Sequence, residues 1–81
     1  MIQNVYSIYD HGAGEYSPPF IAHNNTVALR NFKSFLESVP KHIGFDEFSL
    51  SFLCLFNSEL GTFDLTLTPR RVDYTEQENE A

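Results

Sequence analysis

Residues Phe48 to Phe56 read FSLSFLCLF, an alternating run in which serine appears only in the first half. At the two-residue period of a strand, Phe48, Leu50, Phe52, Cys54 and Phe56 share one face. Ser49, Ser51, Leu53, Leu55 and Asn57 share the other, which is polar at first and apolar later. A run apolar on one face and half apolar on the other predicts a central strand, covered by a helix on one side and partly protected on the other. The rest of the chain has to be arranged around it.

The elements for that arrangement are present. NSELG supplies a turn closed by Gly61, and TFDLTLT then alternates Phe63, Leu65 and Leu67 with Asp64, Thr66 and Thr68 until Pro69, which predicts a hairpin with the central strand. Upstream, Gln3 to Tyr9 alternates Val5, Ser7 and Tyr9 with Tyr6 and Ile8, a first strand rich in β-branched and aromatic residues. Between Asn24 and Pro40 the chain places Ala28, Leu29, Phe32, Phe35, Leu36 and Val39 at helical spacing, with Arg30, Lys33, Ser34 and Glu37 opposite. Asn24 or Asn25 caps the start, and Pro40 disfavours helical geometry at Val39, so the helix is predicted over residues 25–39. The expected fold is α+β: one amphipathic helix packed on a small, mainly antiparallel sheet, in the order strand, strap, helix, strand, strand.

Asp10 to Gly14 joins the first strand to the strap, Gly14 to Ile21, which Pro18 and Pro19 hold extended. A glycine-rich turn directly after a strand invites comparison with a phosphate cradle. Such a cradle needs a third glycine and a helix starting at the turn to point free N–H groups at the anion. Here the third glycine is missing and prolines follow, so DHGAG is read as a turn.

With 81 residues, the chain supports one domain, and its 42 % hydrophobic content is ample for a core. The N-terminus lacks a secretory pattern and no stretch approaches the roughly 18 apolar residues of a membrane span, so a cytoplasmic protein that does not enter membranes is expected. Cys54 has no second cysteine to pair with, and the Cys and His spacing offers no metal site and no cofactor motif. Nothing covalent staples the fold, which together with open sheet edges points to a homodimer. Charge is uneven: four of the eleven acids, Asp73, Glu76, Glu78 and Glu80, follow Val72 with no base among them, for a formal net charge of −6. The expected organisation is a single domain, 1–72, and an acidic mobile tail, 73–81.

In order and spacing, YSIYD (Tyr6 to Asp10), PPF (Pro18 to Phe20), ALRNF (Ala28 to Phe32) after Asn24, FDEFSL (Phe45 to Leu50) and N-x-x-x-G-x-F (Asn57 to Phe63) form a pattern. It resembles the small nonstructural protein of gokushoviruses, single-stranded-DNA phages of the microvirus group. That family often carries proline where Phe45 stands and a glycine in the central strand near Cys54. The resemblance implies an accessory role in phage DNA replication, commonly described as DNA binding, inside the bacterial host cell. It implies no enzyme.

The residues themselves agree on that last point. His11, His23 and His42 lie far apart in loop-like sequence, the serines lack a nucleophile-elbow context, and Asp46 with Glu47 reads as a solvated turn. For single-stranded DNA, the candidate cations are Arg30 and Lys33 on the helix, Lys41 after it, and Arg70 and Arg71 past the hairpin. Tyr6, Tyr9, Tyr16 and Tyr74 are candidate stacking surfaces. A pI of about 4.7 works against phosphate binding unless the cations cluster. The competing reading is an adaptor that pairs a sheet edge, the first strand or TFDLTLT, with a replication or host protein.

Overall fold

The computed structural model describes residues 1–64 and 69–73. Two long antiparallel strands form its axis: β1 (Ile2–Asp10) pairs along its whole length with β4 (Phe48–Asn57). On the outer side of β1 lie two short strands, β2 (Glu15–Tyr16) and β3 (Phe20–Ala22). On the outer side of β4 lie β5 (Thr62–Asp64) and β6 (Arg70–Val72). Every pairing is antiparallel. With α1 (Asn25–Ser38), the one α-helix among the described residues, the architecture is α+β.

Local chemistry sets the ends of α1. Asn24 is extended and its Oδ1 accepts from the Val27 N–H at 2.9 Å, satisfying one of the orphan donors of the first turn. At the other end Val39 is extended, as a residue before proline prefers, and donates its N–H to the Leu36 carbonyl. Between these ends Ala28, Leu29, Phe32 and Leu36 are buried, while Arg30, Lys33, Ser34 and Glu37 are exposed. The buried helix residues meet Tyr6, Ile8, Ala22, Leu50 and Val72 from the sheet, and Phe20, Phe35, Phe48 and Phe52 close the margins.

Pairing corrects three expectations. The strap is part of the sheet: its ends pair with β1 through Tyr9 and Tyr16 and through Val5 and Ile21. Arg70 and Arg71, read as following the last strand, lie within β6, opposite Phe52 and Ser51. The uniform facing of Phe48 to Phe56 also fails. Tyr6 pairs with Phe52 and Val5 with Cys54, so Leu53 has no counterpart and the ladder bulges there. Directly paired residues share a face. Phe48, Leu50 and Phe52 therefore look toward the helix, whereas Cys54 and Phe56 look away from it. The continuation of the hairpin strand through Leu65, Thr66, Leu67 and Thr68, and the acidic tail from Tyr74 onward, lie outside the described residues.

Among the described residues no helix is long and apolar enough to cross a membrane.

Candidate nucleic-acid interface

A single helix covers one face of the sheet. Following the pairing from Val5 outward, the other face carries Gln3, Val5, Ser7 and Tyr9 from β1, Tyr16 and Ile21 from β2 and β3, Ser49, Ser51, Cys54 and Phe56 from β4, and Phe63 and Arg71 from β5 and β6. Among these paired positions there is one guanidinium and no carboxylate, in a chain with a formal net charge of −6. The strand acids Asp10, Glu15 and Asp64 fall on the helix side, opposite Phe48, Asp10 and Leu55 respectively.

This open face has a floor and two aromatic ends. Val5, Ser7, Ser51 and Cys54, all small and all buried, make the floor. Ser7 is held there by its Oγ, which donates to the Ser17 carbonyl at 2.7 Å, while Ser17 Oγ accepts from the Ile8 N–H at 3.1 Å. At one end the rings of Tyr9 and Tyr16 lie 4.7 Å apart, and His11 sets its ring edge-on to Tyr9 at 4.8 Å. His11 Nε2 is 3.1 Å from Ser49 Oγ, which orients the imidazole over the strand. At the other end Phe56 and Phe63 are 5.0 Å apart. Arg71 stands beside Ser51 on the margin, its Nε 3.2 Å from Asp73 Oδ1, an exposed pair of small energetic weight.

The structure distributes the sequence-predicted residues over different surfaces. Tyr9 and Arg71 share the open face, and Tyr16 joins them. Tyr6 does not: it is fully buried against the helix, its ring stacked on Phe20 at 5.9 Å and edge-on to Phe52 at 5.7 Å, which leaves no ring surface for a base. Arg30 and Lys33 are exposed on the outer side of α1, across the molecule from the open face, and Lys41 is exposed in the following loop. Arg70 pairs with Phe52 on the helix side and sets its guanidinium 5.8 Å from that ring. The cations therefore do not form one cluster. Residues missed by sequence reasoning are His11 and Phe63, since neither sequence position reveals which face the helix leaves bare.

The glycine turn is closed to anions by its own chemistry. Asp10 Oδ1 accepts from the N–H groups of Gly12 at 2.9 Å and Ala13 at 3.1 Å, and the Asp10 carbonyl accepts from Gly14 at 2.8 Å. Donors that would face a phosphate are already bound to a carboxylate. Gly14 adopts φ of 70°, a left-handed conformation that suits glycine. Among the described residues no group of three or more His, Cys, Asp and Glu could hold a metal ion.

These features define a small α+β protein whose sheet, among the described residues, is sheathed by a helix on one face and bare on the other. The chain belongs to the Phage ORF5 protein family, whose model matches residues 3–77, and it is a small phage protein. No curated protein and no solved structure matches it.

Proposed function

We propose that the protein is a nonstructural accessory factor in the genome replication of a single-stranded-DNA phage. In this reading it works in the host cytoplasm, binds single-stranded DNA weakly and without sequence preference, and has no catalytic role. The observation that carries this reading is the bare sheet face, with Tyr9, Tyr16 and His11 at one end, Arg71 on the margin and no carboxylate among its paired positions. Bases stack on aromatic side chains regardless of sequence, and each such contact is worth roughly 1 to 3 kcal/mol. Family membership supports the phage setting, and the resemblance to gokushovirus nonstructural proteins supports the replication role. The contact surface is the open face and not the helix, because Arg30 and Lys33 point away from every stacking ring on that face.

The sheet-edge adaptor is the second reading: the first strand is flanked by β4 on one side and by β2 and β3 on the other, which narrows its free edge, while the TFDLTLT edge continues outside the described residues.

A fluorescence-anisotropy titration with an unstructured oligonucleotide tests the proposal. Binding is expected at low salt, with a shallow salt dependence of about 0.7 per phosphate neutralised. Arg71→Glu and Tyr16→Ala should each weaken it roughly tenfold, which is within the range of one stacking contact. The double variant Arg30→Glu, Lys33→Glu should bind as wild type. Absence of binding at low salt overturns the proposal.

A further inference from the structure

Exposed apolar side chains are not scattered over this molecule. Among the described residues the large ones are Met1, Ile2, Tyr16, Ile21, Leu60 and Phe63, and all but Tyr16 gather at the end of the sheet away from the glycine turn. Register and hydrogen bonds place them together. Ile2 pairs with Asn57, Phe63 with Phe56, and Ile21 with Val5, and the Met1 carbonyl accepts from the Ser58 N–H at 3.0 Å, against the turn that carries Leu60. Within this end the N-terminal ammonium and Glu59 neutralise each other at 2.8 Å, and Asp64, next to Phe63, falls on the helix side of the sheet. Between Ile21 and Phe63 the open face dips into a depression of about 160 Å³, lined by Val5, Pro19, Phe20, Ile21, Phe56 and Phe63, with no charged side chain among them.

We infer that this apolar end is the seat of a second copy of the chain, in a two-fold symmetric, reversible dimer. An isologous contact requires a patch that complements itself, because each residue meets the same surface on the partner. This patch has both halves of such a fit: Ile21 and Phe63, 48 % and 56 % exposed, and the apolar depression that they help to line. Charge argues the same way. Two chains of net charge −6 repel, and they approach most readily through a surface such as this depression, whose lining carries no charge.

Area sets the strength. At roughly 100 Å² of accessible surface each, Met1, Ile21, Leu60 and Phe63 offer about 400 Å² per copy, within the size of the largest apolar patch on an ordinary monomer, while Ile2 lies on the helix side. Two copies would cover about 800 Å² of apolar surface in total, in the weak class below the standard interface, so the dimer exchanges with monomer at micromolar concentrations or above. This contact leaves Tyr9, Tyr16, His11 and Arg71 at the opposite end uncovered.

Sedimentation equilibrium from 1 µM to 1 mM, order-of-magnitude limits set by the weak-interface class, tests it. Wild type is expected to pass from monomer to dimer over this range. Leu60→Asp and Phe63→Asp, both at exposed positions, should keep the wild-type circular dichroism spectrum and remain monomeric throughout. Arg30→Glu should dimerise normally. A wild type that stays monomeric, or a dimer that survives both substitutions, overturns the inference. DNA affinity is read separately, so loss of one activity with retention of the other identifies which proposal has failed.

Discussion

Tyr6 and Asn25 are joined across the core: the tyrosine hydroxyl, rooted in the central strand β1, donates to Asn25 Oδ1 at the first turn of α1 over 2.6 Å. The same hydroxyl accepts from Asn4 Nδ2 at 3.1 Å. A fully buried ring thus ends in a satisfied polar group that fixes where the helix starts relative to the sheet. Tyr6→Phe strands the Asn25 oxygen and should cost about 1 to 3 kcal/mol in urea denaturation. In a cycle with Asn25→Ala the two effects should be non-additive, and full additivity would mean that the bond carries no coupling.

Phe32 and Arg30 test the two sides of α1. Phe32 is buried in the core cluster, so Phe32→Ala should destabilise by roughly 3 to 5 kcal/mol, the range for a phenylalanine removed from a packed interior. Arg30→Ala, at an exposed position, should stay within about 0.5 kcal/mol of wild type. Equal melting of the two variants would mean that the helix faces the other way.

Thr26 offers a gain. Its Oγ1 is buried with no hydrogen-bond partner among the described residues. Thr26→Val keeps the shape and removes the unsatisfied hydroxyl, so stability should rise by about 1 kcal/mol. A lower melting temperature would show that the hydroxyl has a use.

Cys54 reports on the floor of the open face. Burial pushes its thiol pKa up from the ordinary value, and the negative charge of Asp64 adds to the effect. The thiolate is the reactive form, so alkylation by iodoacetamide at pH 8 should be at least about tenfold slower in the folded protein than in urea. The linked effect on stability has a definite sign. A pKa raised by folding gives a contribution that is complete below the unfolded-state thiol pKa and is lost as pH rises through the folded one. Cys54→Ala should remove that alkaline loss, and an unchanged stability profile above pH 9 would contradict it.

Helix ends are legible in the sequence because their causes are local. Asn24 and Pro40 act on their immediate neighbours, and α1 runs between them over Asn25–Ser38. The faces of the sheet are not local in this way. Counting by twos from Phe48 puts Phe56 beside Phe52, but the pairing with β1 inserts a bulge at Leu53 and sends Phe56 to the other side. Tyr6 reads equally well as a surface tyrosine or a core one until β1 is known to be flanked on both sides. The site was therefore only partly visible: Tyr9, Tyr16 and Arg71 stood in the sequence as candidates, while their separation from Arg30 and Lys33 depended on which face the helix covers.

The bulge also leaves the protein with a residue to spare. Nine residues of β1 are matched by ten of β4, and Leu53 is the surplus one. Removing a residue from the middle of a strand ordinarily inverts every side chain beyond the cut. Here the frame already contains that inversion, so a chain lacking Leu53 would meet β1 as an unbroken ladder, with Phe52 still opposite Tyr6 and Cys54 still opposite Val5. The centre of the sheet, where a deletion should be least forgiven, is where this fold can shorten without exchanging its inside for its outside.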